Sequence, residues 1–183
     1  RWRWLGSGGV KNTIAAVCRA ATGHIVVAVL DTAGAIRARI VTAPQDGIDP
    51  TGEPGYGWGH YPAAYALVLD NALGWPNGDI ALSANPSGIL RLYYILGDGS
   101  ELRCVASADG GSTWGPPATV KAFVGGDETL RYCLASGGAD HVLWCTSRSG
   151  SRYVHARSYG QGAWGSEKTL GALPEGASSV SVL

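Results

Sequence analysis

The sequence predicts an all-β chain made of repeated four-stranded antiparallel units. Three observations predict it. First, Trp recurs at Trp4, Trp58, Trp114 and Trp164, at intervals of 54, 56 and 50 residues, and the last three are each followed by Gly. A fixed period of this size is the signature of a repeat architecture. Second, the segments between these tryptophans break into short strand patterns separated by Gly, Asn, Asp and Pro turn signals, four to a unit. Third, the stretches His24 to Leu30 (HIVVAVL) and Ile89 to Leu96 (ILRLYYIL) are apolar at both odd and even positions. A sheet with one wet face alternates; a strand covered on both faces does not. Stacked four-stranded sheets with covered faces are what a β-propeller requires, and the chain has length for about three blades.

The elements follow in order. The first blade spans residues 13–69. It reads as Thr13 to Ala20, His24 to Leu30, Ala35 to Val41 and, after a long connection, Ala63 to Leu69. The second spans 79–123 and is the clearest. Asp79 to Asn85 alternates, Asn85-Pro86-Ser87-Gly88 turns, and Ile89 to Leu96 returns. Gly97-Asp98-Gly99-Ser100 makes a hairpin, Glu101 to Ser107 is the third strand, and Pro117 to Phe123 supplies the fourth. The third spans 129–170, with Thr129 to Ser136, His141 to Ser147, Tyr153 to Ser158 and Lys168 to Leu170 as strands. Residues 178–183 read as the opening strand of a further blade. A β-sandwich also uses short strands with turn signals; the Trp-Gly recurrence favours the propeller.

Composition bounds the function. Hydrophobic residues make up 45% and charged residues 15% of the 183 residues, too apolar a balance for a disordered chain. Lys+Arg and Asp+Glu are both 14, so the basic footprint of a nucleic-acid binder is missing. No apolar run reaches the length of a membrane span. The opening Arg1-Trp2-Arg3-Trp4 has no signal-peptide pattern and reads as the end of a structural unit, so the chain is expected to be a segment of something longer. Cys18, Cys104, Cys133 and Cys145 form no CxxC pair and have no His at zinc-ligand spacing, so neither a metal nor another cofactor is expected. Cys133 and Cys145 lie equidistant from the turn at Ala139. This places them opposite each other on a ladder, as a disulfide or as two buried free thiols.

One turn carries a motif. Ser107-Ala108-Asp109-Gly110-Gly111-Ser112-Thr113-Trp114 matches S-x-D-x-G-x-T-W at every specified position. An Asp carboxylate can gather the N–H groups of its own turn, Gly permits positive φ, and Trp covers the blade edge. Thr51 to Trp58 keeps the spacing with Thr for Ser and Glu for Asp; Ser158 to Trp164 is one residue shorter and has lost the acid. These turns resemble the Asp-box of the sialidase superfamily and of bacterial neuraminidase repeat propellers. The resemblance implies a structural role for Ser107, Asp109, Gly111, Thr113 and Trp114, on the face away from a ligand. It supplies no catalytic residue. The arginine cluster, Tyr nucleophile with its Glu, Asp acid/base and Arg-Ile-Pro motif of sialidases cannot be assigned, and Arg39-Ile40-Val41 is only a partial match.

Connections in a propeller alternate between its two faces, so ligand candidates lie opposite the Asp-box, on the blade crossings and the second hairpin of each blade. Asp70, Asn71, Trp75 and Asn77 combine an apolar ring with planar hydrogen-bonding groups, the combination sugars need. Arg148 and Arg152 offer guanidinium forks for a carboxylate or phosphate. His24, His60, His141 and His155 have no nucleophile motif beside them and read as structural or surface residues. The expectation is a non-catalytic module for glycan recognition or scaffolding in a larger extracellular, cell-surface or virion protein of tail or fibre type. The alternatives are a segment of an exo-acting sialidase-type glycoside hydrolase and a propeller lectin completed by oligomerisation. Expected partners are a glycan and further copies of the chain or additional polypeptide, with no nucleic acid and no membrane insertion.

Overall fold

The computed structural model describes residues 14–18, 25–30, 35–41, 66–69, 80–123, 128–136, 140–148 and 150–174. Among them there is no helix, and all strand pairings are antiparallel. Three sheets follow one another along the chain. Sheet 1 holds β1 (Ile14–Cys18), β2 (Ile25–Leu30), β3 (Ile36–Val41) and β4 (Ala66–Leu69), in that spatial order. Sheet 2 holds β5 (Ile80–Ala84), β6 (Leu90–Ile95), β7 (Glu101–Ser107) and β8 (Ala118–Ala122), again in order. Sheet 3 holds β9 (Glu128–Ser136), β10 (His141–Arg148) and β11 (Ser151–Gly160), with the short β12 (Ala163–Trp164) and β13 (Lys168–Ala172) both paired to β11.

Sheet 2 is the middle layer, and its sequence explains why. β6 is buried at every position. Leu90, Leu92 and Tyr94, with Ile80, Leu82, Leu96 and Val105, pack on Val26, Ala28 and Ile36 of sheet 1. The alternate residues Ala81, Tyr93 and Ile95, with Leu102, Cys104 and Val120, pack on Val142 and Trp144 of sheet 3. One strand thus supplies both cores through its pleat, as its unbroken apolar run predicts. The first strands are neighbours: β5 touches both β1 and β9.

The sheets repeat in register, irregularities included. In each, the pairing of third and fourth strands slips by one residue, between Ile36 and Arg37, between Leu102 and Arg103, and between Val154 and His155. The residue left unpaired on the fourth strand is Val68, Val120 and Leu170, respectively. Such bulges are positional features of a strand pair rather than defects. They make Leu102 the counterpart of Val154, and through the ladders Ile95 that of Cys145 and Arg91 that of His141.

One expectation is corrected. β9 and β10 pair Trp144 with Cys133 and, after a bulge, Cys145 with Leu130, so Cys133 and Cys145 are not cross-strand partners. The midpoint argument assumed an unbroken ladder centred on one residue. Cys145 and Cys104 are buried free thiols; burial pushes the Cys104 thiol up to about 11 and raises Cys145 as well.

Candidate functional site

The meander divides the connections between two ends of the sheets. One end has the Asn85 to Ile89 turn, the Asp-box turn and the 161–162 turn. The other has the hairpin at 97–100 and the ends of β10 and β11 at Arg148 and Ser151. At that second end Phe123 N–H donates to Ser100 O at 2.8 Å, and Leu173 N–H donates to Arg152 O at 2.8 Å, the same bond in two units.

At the first end, the Asp109 carboxylate organises its turn. Oδ1 accepts from Ser107 Oγ at 2.8 Å, Ser112 N–H at 3.0 Å and Thr113 N–H at 2.9 Å; Oδ2 accepts from Thr113 Oγ1 at 2.6 Å. Ser107 Oγ in turn accepts Gly111 N–H at 2.7 Å, and Trp114 Nε1 donates to Gly111 O at 3.2 Å. Donors from Thr113, Ser107 and Ser112 favour the charged form and hold the Asp109 carboxyl far below the usual carboxylate range. Gly111 has φ +99°, and a Cβ there would sit 3.4 Å from Leu90 Cδ1 and from Val26 Cγ1. The turn is therefore seated on sheet 1 through a bare backbone, with Trp114 packed on the same core. Every oxygen of Asp109 is engaged within its own turn, so the carboxylate is a turn organiser rather than a reacting group.

The third unit solves the same place differently. Gly165 N–H donates to Ser158 O at 2.9 Å as Gly115 N–H donates to Ala106 O at 2.8 Å, which makes Tyr159 the counterpart of Ser107. Between Tyr159 and Trp164 the chain makes a two-residue hairpin with Gln161 at φ 51° and Gly162 at φ 83°. Positive φ at both central residues is the tight turn that suits strand twist. The segment read as a decayed Asp-box is a hairpin instead.

Sequence reasoning missed the polar groups between sheets 2 and 3. Arg91 and Asp140 form an ion pair, Nε to Oδ1 at 3.1 Å, with their side chains 7% and 11% exposed. Asn85 Nδ2 and Arg91 donate to Asp140 Oδ2 at 3.2 and 3.4 Å. The Arg91 guanidinium lies 3.9 Å from the centroid of the Tyr159 ring, which meets Trp164 edge-on at 5.2 Å. Farther along, Glu167 approaches His155 Nδ1 at 3.0 Å and accepts from Lys121 Nζ at 2.7 Å. Thr146 Oγ1 lies 2.8 Å from His155 Nε2, and the imidazole stacks on Trp144 at 5.7 Å and 15°. Carboxylate, imidazole and hydroxyl follow one another, but Thr146 is 5% exposed. This arrangement holds two sheets together. The legible signal was Arg91 itself, a lone charge in a strand apolar on both faces, which demands a partner.

Of the ligand candidates, Asp70, Asn71, Trp75 and Asn77 lie outside the described residues. Arg148 ends β10 opposite Ser151, and Arg152 sits exposed in β11 opposite Ser147. Both belong to the end opposite Asp109. Their partners place them at alternate pleat positions. Among the described residues, no three His, Cys, Asp or Glu side chains gather as a metal cage, and no helix is long and apolar enough to cross a membrane.

No family model and no curated protein matches the chain. Among solved structures it is similar to AofleA from Arthrobotrys oligospora, with a TM-score of 0.52 and 9% identity over 90% of this chain and 44% of that one. It is also similar to a mutant of NanB sialidase from Streptococcus pneumoniae, with a TM-score of 0.48 and 12% identity over 82% of this chain and 22% of that chain. For NanB with Optactamide the TM-score is 0.46 and the identity 13%, over 80% of this chain and 21% of that one. The chain thus spans less than half of AofleA and about a fifth of NanB. The likeness to AofleA is one of fold; the NanB likenesses are looser.

Proposed function

We propose that this chain is a set of sialidase-like propeller blades serving as a non-catalytic module for glycan recognition or scaffolding, within a larger extracellular or virion protein. The observation that carries the reading is the stacking of three like sheets with neighbouring first strands, β5 against β1 and β9. That arrangement is what radial repetition of blades needs. The likeness to AofleA supports the same fold. With the Asp-box turn committed to its own hydrogen bonds, recognition falls to the other end. The residues the sequence offers for it are Asp70, Asn71, Trp75 and Asn77, between β4 and β5 along the chain, and Arg148 and Arg152, on either side of the β10–β11 connection. An indole face beside amides suits the apolar face and hydroxyls of a sugar ring, and a guanidinium suits an acidic sugar.

Glycan-array binding followed by calorimetry tests this. Trp75→Ala is expected to weaken the best glycan at least tenfold while the fold melts unchanged. Asp109→Ala, at the opposite end, is expected to leave affinity within twofold. Binding lost through Asp109 and retained without Trp75 would put the site at the wrong end. Release of fluorophore from a sialoside by the wild-type chain would replace the module reading with a hydrolase one.

A further inference from the structure

Neighbouring residues of one strand sample the two seams of sheet 2. In β6, Tyr94 packs toward sheet 1 and Tyr93 toward sheet 3, and both are fully buried. What holds the two seams differs. Toward sheet 1, Val26, Ala28 and Ile36 meet Leu82, Leu90, Leu92 and Val105. The Asp-box turn adds the bare backbone of Gly111 and the Trp114 ring. Opening this seam returns hydrocarbon to water, at a cost that grows with the apolar area exposed.

Toward sheet 3, the apolar contact of Tyr93, Ile95 and Cys104 with Val142 and Trp144 is shared with charges. The Arg91–Asp140 pair crosses this seam with side chains 7% and 11% exposed, and Lys121 reaches across to Glu167. The Arg157 guanidinium donates from Nη1 to the Val120 carbonyl. Arg157 Nε and Trp144 Nε1 are buried without a hydrogen-bond partner; in the first seam the Tyr94 hydroxyl is in the same state. A buried ion pair loses to desolvation much of what it gains in attraction, and apolar residues of similar size often hold a core better. Opening the second seam hydrates Arg91, Asp140, Arg157 and the Trp144 N–H, which offsets part of the apolar exposure.

We propose that sheet 3 is a hinged leaf: it swings away from sheet 2 at the charged seam, with its own ladders intact, while sheets 1 and 2 stay closed on each other. Among the described residues the strands of sheet 3 pair with one another, so no ladder bond has to break for the leaf to move. Sub-global openings of this kind come from the less stable contacts of a fold. The inference rests on the chemistry of the seams and stands whether or not the module binds a glycan.

Slow nitration of the folded chain by tetranitromethane, read residue by residue by mass spectrometry, tests it. A phenol in either seam reacts only while that seam is open, and the two phenols share one chemistry. Tyr93 is expected to react at least tenfold faster than Tyr94. Hydrogen exchange under the same conditions should show the β10 amides opening less often than Tyr93 does. Replacing both charges, Arg91→Leu with Asp140→Leu, is expected to slow Tyr93 at least threefold and leave Tyr94 within twofold, with a melting scan to check the fold. Equal rates for Tyr93 and Tyr94, or a faster Tyr94, overturn the inference, and that comparison needs no variant. So does exchange of the β10 amides at the frequency of Tyr93 exposure, because sheet 3 would then unfold rather than swing. An unchanged Tyr93 rate in the folded double variant overturns it as well, since the charges would not be what weakens the seam.

Discussion

The seams on either side of sheet 2 share one geometry and differ in chemistry. Between sheets 1 and 2, Val26 and Ala28 meet Leu82, Leu90, Leu92 and Tyr94, and Val26 lies under the bare backbone of Gly111. Between sheets 2 and 3, the ladders pairing Leu30 with Ile36 and Ile95 with Leu102, read from the matching bulges, make Arg91 the counterpart of Val26, and the counterpart of the Asp-box turn is the hairpin that places Tyr159 against it. The small apolar neighbour goes with a turn that closes on its own carboxylate. The buried cation goes with a turn that offers an aromatic face, with Asp140 brought in as counter-charge. The repeat therefore fixes where groups meet, while each seam answers its own charge. Turn and neighbouring strand change together.

The largest separation between the seams is expected from Asp140→Ala. It leaves the Arg91 guanidinium, 7% exposed, without its anion, and losing one partner of a buried pair costs about 3–5 kcal/mol. Denaturant midpoints should fall accordingly, and Arg91→Leu in the same background should recover most of the loss. If Asp140→Ala alone costs under 1 kcal/mol, which is roughly what an exposed pair contributes, the second seam is held by its aromatics and the contrast fails.

A smaller effect is expected at Gly111. Alanine there would have to adopt φ near +99° and press its Cβ on Leu90 and Val26. The backbone conformation alone costs about 1–2 kcal/mol for an L-residue. Gly162→Ala, at φ 83° with open space around it, meets the backbone cost only. Equal losses at the two sites would show that the Asp-box turn is not seated on sheet 1 as tightly as the distances indicate.

Much of this was legible because it is periodic. Glu101 to Ser107 has the strand bounds that its pattern predicts, and β6 is doubly buried as its unbroken apolar run requires. The rest depends on pairings that a linear pattern does not carry. Arg91 finds Asp140 across 49 residues. The Cys133 and Cys145 register is displaced by a bulge that no residue type announces. The Ser158 to Trp164 segment keeps the tryptophan spacing while exchanging a carboxylate-centred turn for two positive-φ residues. Spacing preserves the staple, not the turn that leads to it. For the candidate site, the ends of the sheets were legible from connection order alone, whereas Asp70, Asn71, Trp75 and Asn77 lie outside the described residues and are placed by sequence only.

The smallest effect separates charge from shape in the Asp-box turn. Asp109→Asn keeps one acceptor oxygen for the Ser112 and Thr113 N–H groups and replaces the other by a donor facing Thr113 Oγ1. The wild-type carboxyl is depressed in the folded chain, chiefly by Thr113, and lies near the ordinary aspartate value of 3.8 when unfolded. A depressed folded pKa means that its stabilisation is present above that unfolded value and is lost as pH falls through the acid range. The gap in melting temperature between wild type and Asp109→Asn should therefore be widest near neutral pH and narrow steadily below about pH 4. Asp98 and Glu101 are also held low, by Ser100 and by Arg103, but both remain in the variant and cancel from the difference. A gap that stays constant down to pH 2 would mean that the turn needs the oxygen geometry of Asp109 and not its charge.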